Sequence, residues 1–196
     1  MVDKLYEIGA VKFGDFTWVS GTQAPYYVDL RIVPSFPDAF SELISALSNL
    51  VKSIPNYENC ILAGVPTAGI SFATAVAREL SLPMIYVRKQ EKDHGTQKMI
   101  EGVLEAGQEV IIIEDLVSKG GSILKTVETL RGSGATVSHA VATLDHGVGG
   151  KQNLEEKQIQ LHTITTTIDL ASQLNKSGKL PDSQLKTVKE FVNDRD

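Results

Sequence analysis

The 196-residue sequence contains a single cysteine, Cys60. One thiol cannot form a disulfide within the chain or build a metal site from several cysteines. Cys60 begins the apolar run that ends at Val65, and a free cysteine in such a run behaves as a small apolar side chain. We therefore predict that Cys60 is buried and not nucleophilic.

The chain also lacks an excess of basic residues, a long apolar run and a secretory signal. Its 19 Lys and Arg against 24 Asp and Glu leave a net charge of −5. Nucleic acids are held mainly by clustered Lys and Arg, so this balance argues against a nucleic-acid partner. The first residues have neither the basic nor the apolar segment of a signal peptide. We expect a cytoplasmic protein with no nucleic-acid or membrane partner, in which any phosphate binding is local.

The spacing of apolar residues switches repeatedly between helix and strand periods. It predicts strands at 59–65, 84–87, 110–113, 137–144 and 159–165, and helices after Pro37 and at 69–80, about 121–132 and 185–192. This alternation predicts an α/β fold with an open, mostly parallel sheet, helices on both faces and ligands at the carboxyl ends of the strands. No linker or repeat divides the chain, so we expect one domain over residues 1–196.

The segment from Ile111 to Ser122 carries the strongest functional signal. An apolar strand ends in two acids, Glu114 and Asp115, and small residues then open a helix. Carboxylates can accept hydrogen bonds from two neighbouring ribose hydroxyls, while backbone N–H groups at a helix start bind phosphate. The pattern predicts a ribose-phosphate site. The alternative is a plain strand-to-helix turn capped by serine. Neither a P-loop nor a dinucleotide-binding fingerprint is present.

Three other segments accompany this one. A polar stretch places Arg88, Lys89, Lys92 and His94 directly after a predicted strand, and its alternative interpretation is a solvated run of surface charge. The run 64–70, Gly-Val-Pro-Thr-Ala-Gly-Ile, lies between a strand and a helix, where an ordinary helix start is the alternative. Near the N-terminus, Phe-Thr-Trp-Val-Ser-Gly at 16–21 precedes Tyr-Tyr-Val-Asp-Leu-Arg at 26–31.

Together these segments resemble orotate phosphoribosyltransferases of the type I phosphoribosyltransferase superfamily, over roughly residues 13 to 150. The resemblance implies the type I phosphoribosyltransferase fold, with a small N-terminal hood at about 1–35 and a mobile catalytic loop at about 88–102. It implies 5-phosphoribosyl 1-diphosphate and orotate as substrates, and Mg²⁺ held largely through the substrate. It also implies a homodimer in which each catalytic loop reaches the neighbouring active site.

The resemblance also assigns roles to individual residues. The catalytic set is Lys89, Lys92, His94 and Asp115, with Lys92 as the main contributor, and no residue is predicted as a metal ligand. The substrate-binding set is Tyr27, Thr67, Ala68, Arg88, Lys89, Lys92, His94, Glu114, Asp115, Leu116, Val117, Ser118, Lys119, Gly120, Gly121, Ser122 and His146.

Two positions depart from the pattern of this family. Val19 and His146 stand where many relatives have Lys and Arg, so two fixed positive charges are missing. Lys12 or a partly cationic His146 is expected to compensate. These departures keep two alternatives open: a phosphoribosyltransferase for another base, and a regulatory protein that senses 5-phosphoribosyl 1-diphosphate without catalysis. The intact Lys89, Lys92 and His94 argue against the second.

Overall fold

The structure, a computed structural model, describes residues 1–18, 21–89 and 99–195. The strands are β1 (Val11–Thr17), β2 (Gln23–Val28), β3 (Ile61–Gly64), β4 (Met84–Val87), β5 (Ile100–Glu101), β6 (Glu109–Val117), β7 (Thr136–Asp145) and β8 (Gln160–Thr166). The helices are α1 (Val2–Glu7), α2 (Pro37–Lys52), α3 (Ala68–Leu80), α4 (Gly121–Gly132), α5 (Gly150–Glu155), α6 (Thr167–Lys176) and α7 (Asp182–Asn193).

Within the described ranges, six strands form the central sheet in the order β5-β4-β3-β6-β7-β8. Neighbouring strands are parallel, except that the edge strand β5 runs antiparallel to β4. Residues 110–113 of β6 are all buried, as expected for a parallel strand covered on both faces. The predicted open, mostly parallel sheet is confirmed.

Helices cover both faces of this sheet, as the sequence predicts. One core packs Leu43 and Leu47 of α2 with Phe72 of α3 and with α6 and α7. The other core packs Ile123 and Val127 of α4 against the opposite face. Each helix buries one apolar side because its apolar residues recur at three- and four-residue steps. Cys60 is buried in the first of these cores, which confirms its predicted burial.

The N-terminal residues form a separate small unit beside the sheet. Strands β1 and β2 pair as an antiparallel hairpin, which a short 3-10 helix, Leu30–Ser35, follows. Tyr26 of β2 is almost fully buried and its ring lies edge-on to Phe191 of α7. The Tyr26 ring also lies 5.5 Å from the ring of His146, directly after β7, so aromatic packing holds the hairpin at the carboxyl end of that strand. That it acts as a hood stays a prediction.

One boundary differs in a way that matters for the site. The predicted strand stops at Ile113, with the acids at its end, whereas β6 continues through Glu114 and Asp115 to Val117. The reason is pairing, since β7 also extends to Asp145 and pairs with β6 as far as Val117. The acids are consequently held in sheet geometry and do not belong to a free turn.

Other differences are additions to the predicted elements. Helices α5 and α6 and the edge strand β5 have no counterpart in the prediction, and α7 extends beyond the predicted 185–192 at both ends. Short helices such as α5 give a weak periodic signal, because fewer than two turns offer too few apolar positions. None of the helices in the described ranges combines the length and the apolar character that crossing a membrane requires.

Candidate active site

The candidate site lies where three parallel strands end at the same edge of the sheet. The turn 65–67 follows β3, the loop 118–120 follows β6, and residues 146–149 follow β7. Backbone bonds fix these segments to one another: Val65 N–H donates to the Ile113 carbonyl at 3.0 Å, and His146 N–H donates to the Val117 carbonyl at 2.8 Å. Segments distant in sequence thus meet where ligands of open α/β sheets bind.

The acid pair is positioned by the start of α3. The Glu114 carboxyl is almost wholly buried, and its Oε1 accepts a hydrogen bond from the Asp115 N–H at 3.1 Å. The Gly69 N–H also donates to this carboxyl. A Cβ atom at Gly69 would lie 3.0 Å from Glu114 Oε1 and 2.6 Å from the Ile113 carbonyl oxygen. Glycine is therefore required for α3 to approach β6 this closely.

The two acids differ in protonation. Burial, and after it the charge of Asp115, raise the pKa of Glu114 to about 9. Burial also raises the pKa of Asp115, although its hydrogen bond with Glu114 opposes this shift. Glu114 is therefore protonated at neutral pH. A neutral carboxyl beside a carboxylate offers both a donor and an acceptor, which suits hydroxyl groups that can do either.

The loop after β6 is held in place by α5. Gly120 has a φ of 76° and precedes α4, a left-handed conformation that glycine adopts without strain. A Cβ atom at Gly150 would lie 2.1 Å from the Ser118 carbonyl oxygen, and Asn153 Nδ2 donates to the Lys119 carbonyl at 3.0 Å. The sequence analysis assigned no role to Gly150 or Asn153. The adjacent glycines at 149 and 150 were the sequence signal for a close backbone approach at this point.

Two of the predicted cations, Arg88 and Lys89, line a cavity beside these loops. A cavity of about 530 Å³ is lined by Pro66 of the turn after β3, by Arg88 and Lys89 after β4, and by Ser122 at the start of α4. Arg88 also pairs with Glu101 at 3.0 Å. The volume is in the range of small-molecule sites. The structure therefore brings the turn after β3, the start of α4 and two predicted cations to one cavity.

Comparison with known proteins identifies the family of this site. Residues 35–173 match the phosphoribosyl transferase domain. The chain is 37% identical to orotate phosphoribosyltransferase of Cenarchaeum symbiosum, over 94% of this chain and 92% of that protein. It is 38% identical to orotate phosphoribosyltransferase of Listeria monocytogenes, over 97% of this chain and 93% of that protein. Orotate phosphoribosyltransferase from Aeropyrum pernix shares the fold, with a TM-score of 0.80 and 30% identity over 89% and 98% of the two chains. The chain belongs to the orotate phosphoribosyltransferases.

In this orotate phosphoribosyltransferase the 3-10 helix after the hairpin supplies a further cation, Arg31, whose charge acts on the acids. Arg31 Nη2 donates to the Tyr27 hydroxyl at 3.1 Å, and Arg31 pairs with Asp29 at 2.6 Å. The charge of Arg31 partly counteracts the burial that raises the pKa of Asp115. Tyr27, a predicted binding residue, thus contacts a cation whose charge reaches Asp115. The predicted set omitted Arg31 although it ends one of the quoted motifs.

His146 does not supply the charge that the sequence analysis expects of it. Burial lowers the pKa of its imidazole to about 4, so the ring is neutral at pH 7. Its Nδ1 lies 3.2 Å from the hydroxyls of both Tyr26 and Thr167. The Trp18 ring packs on it at a centroid distance of 5.1 Å. The expectation of a partly cationic His146 is therefore wrong, because aromatic packing removes the ring from water.

The remaining predicted residues of this phosphoribosyltransferase occupy different environments. Ser118, Lys119, Gly120, Gly121 and Ser122 form the loop after β6 and the start of α4, and Thr67 and Ala68 form the start of α3. Val117 is buried in the core that contains α4, and Leu116 packs against the core that contains α2 and α3. These two residues therefore present their backbones, and not their side chains, to the site. Val19, Lys92 and His94 lie outside the described residues.

Proposed function

We propose that this protein transfers the ribose 5-phosphate group of 5-phosphoribosyl 1-diphosphate to N1 of orotate. The products are orotidine 5′-phosphate and diphosphate, in the route to uridine monophosphate. The observation that carries the proposal is the acid pair Glu114 and Asp115 near the end of β6, followed by a phosphate-type loop that opens α4. Ser122 at the start of α4 lines a cavity together with Arg88 and Lys89. Membership of the orotate phosphoribosyltransferases supports it.

The ribose phosphate binds, in this proposal, along the end of β6. Asp115 accepts hydrogen bonds from ribose hydroxyls, and the neutral Glu114 can donate one in return. The 5′-phosphate lies against the backbone N–H groups between Ser118 and Ser122. These groups open α4, whose dipole favours an anion at its N-terminal end.

The diphosphate occupies the cavity side of the site. Arg88 and Lys89 line this cavity, and the backbone at Thr67 and Ala68 begins α3 beside it. Lys92 and His94 complete the proposed set of cations. As diphosphate leaves, negative charge grows on its oxygens and an oxocarbenium-like centre forms at the ribose. Cations held in position before the reaction stabilise this charge without reorganisation.

We also propose that Mg²⁺ accompanies the substrate. Magnesium prefers oxygen ligands and often binds through substrate phosphates and one or two carboxylates. Asp115 offers such a carboxylate, whereas Glu114 is held neutral by burial and is a poor ligand. When bound, the ion supplies positive charge to the diphosphate oxygens. Asp115 is accordingly the residue of the pair that fits contact with a metal-bound substrate.

A second candidate function concerns the base. His146 is neutral and already lies close to two hydroxyl groups, at a position where many orotate phosphoribosyltransferases have Arg. A site with fewer fixed cations favours a less anionic base than orotate. Transfer to another nucleobase is therefore the alternative that a specific observation supports. A cytoplasmic location is proposed for either activity, and cell fractionation tests it.

The deciding experiment measures the loss of orotate absorbance when 5-phosphoribosyl 1-diphosphate and Mg²⁺ are added to purified protein. Uracil, hypoxanthine and adenine are assayed in parallel, and a chelator is added in a matched series. We expect conversion of orotate alone, abolished by the chelator. Turnover of another base without orotate would replace the first function with the second. Binding of 5-phosphoribosyl 1-diphosphate without any turnover would instead indicate a sensor.

A further inference from the structure

The cavity beside α4 contains charged residues to which the proposed reaction has assigned no role. Its wall on the α4 side consists of Ser122, Lys125, Thr126, Glu128 and Thr129, and the opposite wall includes Arg88, Lys89 and Met99. Lys125 and Glu128 are both exposed and carry opposite charges. Because they line the cavity that also contains the proposed cations, each acts electrostatically on any anion bound there.

The sequence of α4 explains why this wall is polar. Ser122, Lys125, Thr126 and Thr129 are spaced three, four and seven residues apart, so they share one face of the helix. Ile123, Val127 and Leu130 occupy the other face and enter the core. The threonine hydroxyls donate to carbonyls one turn earlier, Thr126 to Ser122 and Thr129 to Lys125. The polar face of α4 is therefore turned toward the cavity.

Lys125 can reach the end of the cavity where phosphates are expected. Side chains of an α-helix lean toward its N-terminus. The N-terminus of α4 adjoins the loop after β6, and Ser122 lies one turn before Lys125. A lysine stem carries its ammonium group several ångströms along that direction and adjusts readily. A lysine at this position can therefore extend its charge toward the anion-binding end.

The charge around the cavity differs from that of the whole chain. The chain has a net charge of −5, yet among the described residues Arg88, Lys89 and Lys125 line the cavity and Glu128 is the one acid that does so. Glu101 already balances part of this positive charge through its bond to Arg88. Lys125 therefore adds to the attraction for an anion, and Glu128, less than one turn away on the same helix, reduces it.

We propose that Lys125 is a further binding residue for the diphosphate group and that Glu128 weakens this binding. The inference rests on the proposed function for the identity of the ligand. Lys125 attracts the diphosphate of the bound substrate and of the released product, while Glu128 limits the affinity so that product can leave. Opposite charges on one helix face thus set how tightly the leaving group is held.

The test is calorimetric titration with inorganic diphosphate and Mg²⁺ of the wild type, Lys125→Gln and Glu128→Gln. We expect Lys125→Gln to weaken binding about fivefold and Glu128→Gln to strengthen it by a similar factor, typical of one partly exposed charge. Both effects should shrink at high salt. Lys186→Gln is the matched control, because Lys186 is 77% exposed within α7; its affinity should equal that of the wild type.

The opposite changes in diphosphate affinity expected for Lys125→Gln and Glu128→Gln distinguish an effect of charge from structural damage, which would weaken binding in both variants. If Lys125→Gln binds diphosphate as Lys186→Gln does, or if Glu128→Gln also weakens binding, the proposal is overturned. Steady-state kinetics give a second readout: Lys125→Gln should raise KM for 5-phosphoribosyl 1-diphosphate and leave KM for the base unchanged. An inactive wild type whose diphosphate affinity still falls in Lys125→Gln would refute the proposed function alone. An active wild type with no such fall would refute the Lys125 role alone.

Discussion

At the scale of single residues, Glu114 and Asp115 show how neighbours in sequence acquire different chemistry. Glu114 is enclosed by the start of α3 and accepts two backbone N–H groups, whereas Asp115 is less buried and experiences the charge of Arg31. Glu114, the more buried acid, is therefore protonated at neutral pH. A carboxyl group kept neutral in the folded state also makes stability depend on pH.

Replacing Glu114 by Gln should remove this pH dependence. The pKa of Glu114 is raised to about 9 in the folded protein, above its value of about 4.3 in an unfolded chain. Its stabilising contribution is therefore complete below the unfolded pKa and is lost as pH rises toward 9. Relative to Glu114→Gln, the wild type should lose up to about 1.4 kcal/mol of unfolding free energy per pH unit between these values.

Urea unfolding of both proteins at several pH values from 5 to 9 measures this difference. Glu156→Gln serves as the control, since Glu156 is exposed at the end of α5. Its stability difference from the wild type should stay constant with pH. A constant difference for Glu114→Gln as well would show that Glu114 is ionised in the folded protein.

At the scale of elements, the site depends on how closely α3 approaches the central strands. A Cβ atom at Gly64 would lie 2.7 Å from Ile70 Cα, and a Cβ atom at Gly69 would contact Ile113 and Glu114. Both glycines permit backbone contact between the helix and β3 or β6. This approach allows the Gly69 N–H to reach the Glu114 carboxyl.

Gly69→Ala should separate α3 from β6 and displace Glu114. We expect a stability loss of about 1–3 kcal/mol, typical of overpacking, and an increase in KM for 5-phosphoribosyl 1-diphosphate. Gly132→Ala is the control, because a Cβ atom there would meet no atom within 4 Å. Thermal unfolding and steady-state kinetics measure both variants. Wild-type stability and KM in Gly69→Ala would show that the contact with Glu114 adjusts without cost.

The elements also show where prediction from sequence succeeds. The strand at 84–87 and the helix at 121–132 have the predicted bounds. The strand is an apolar run that ends at the polar stretch from Arg88, and the helix lies between two glycine positions, Gly121 and Gly132. The prediction fails where pairing extends an element, as in β6, or where an element is short, as in α5. Pairing partners come from distant parts of the chain, so local spacing contains no signal for them.

At the scale of the whole molecule, we propose a homodimer with active sites shared between chains. The test mixes Lys92→Ala with Asp115→Ala chains. Each variant alone should lose about a hundred- to a thousandfold in turnover, by analogy with loss of one preorganised group. In a mixed dimer, one site of two combines an intact loop with intact acids. Random exchange in an equimolar mixture makes about half of the dimers mixed, so the mixture should recover about a quarter of wild-type activity.

Chain exchange must be measured in the same samples, by native mass spectrometry of the mixture. A doubly substituted chain mixed with either single variant is the control, and it should restore little activity in both mixtures, because neither mixture contains a site with an intact loop and intact acids. Proven exchange without recovery of activity would mean that each chain uses its own loop. A monomer in solution would also contradict the shared site.

The sequence alone is sufficient to predict the α/β fold, the acid pair and the phosphate-type loop. Apolar spacing and glycine positions act over a few residues, so they can be identified without knowing the fold. The neutral Glu114, the neutral His146 and the position of Lys125 on a cavity wall depended on tertiary packing. His146 meets Tyr26 across 120 residues of sequence, and protonation follows from the burial that such distant contacts create.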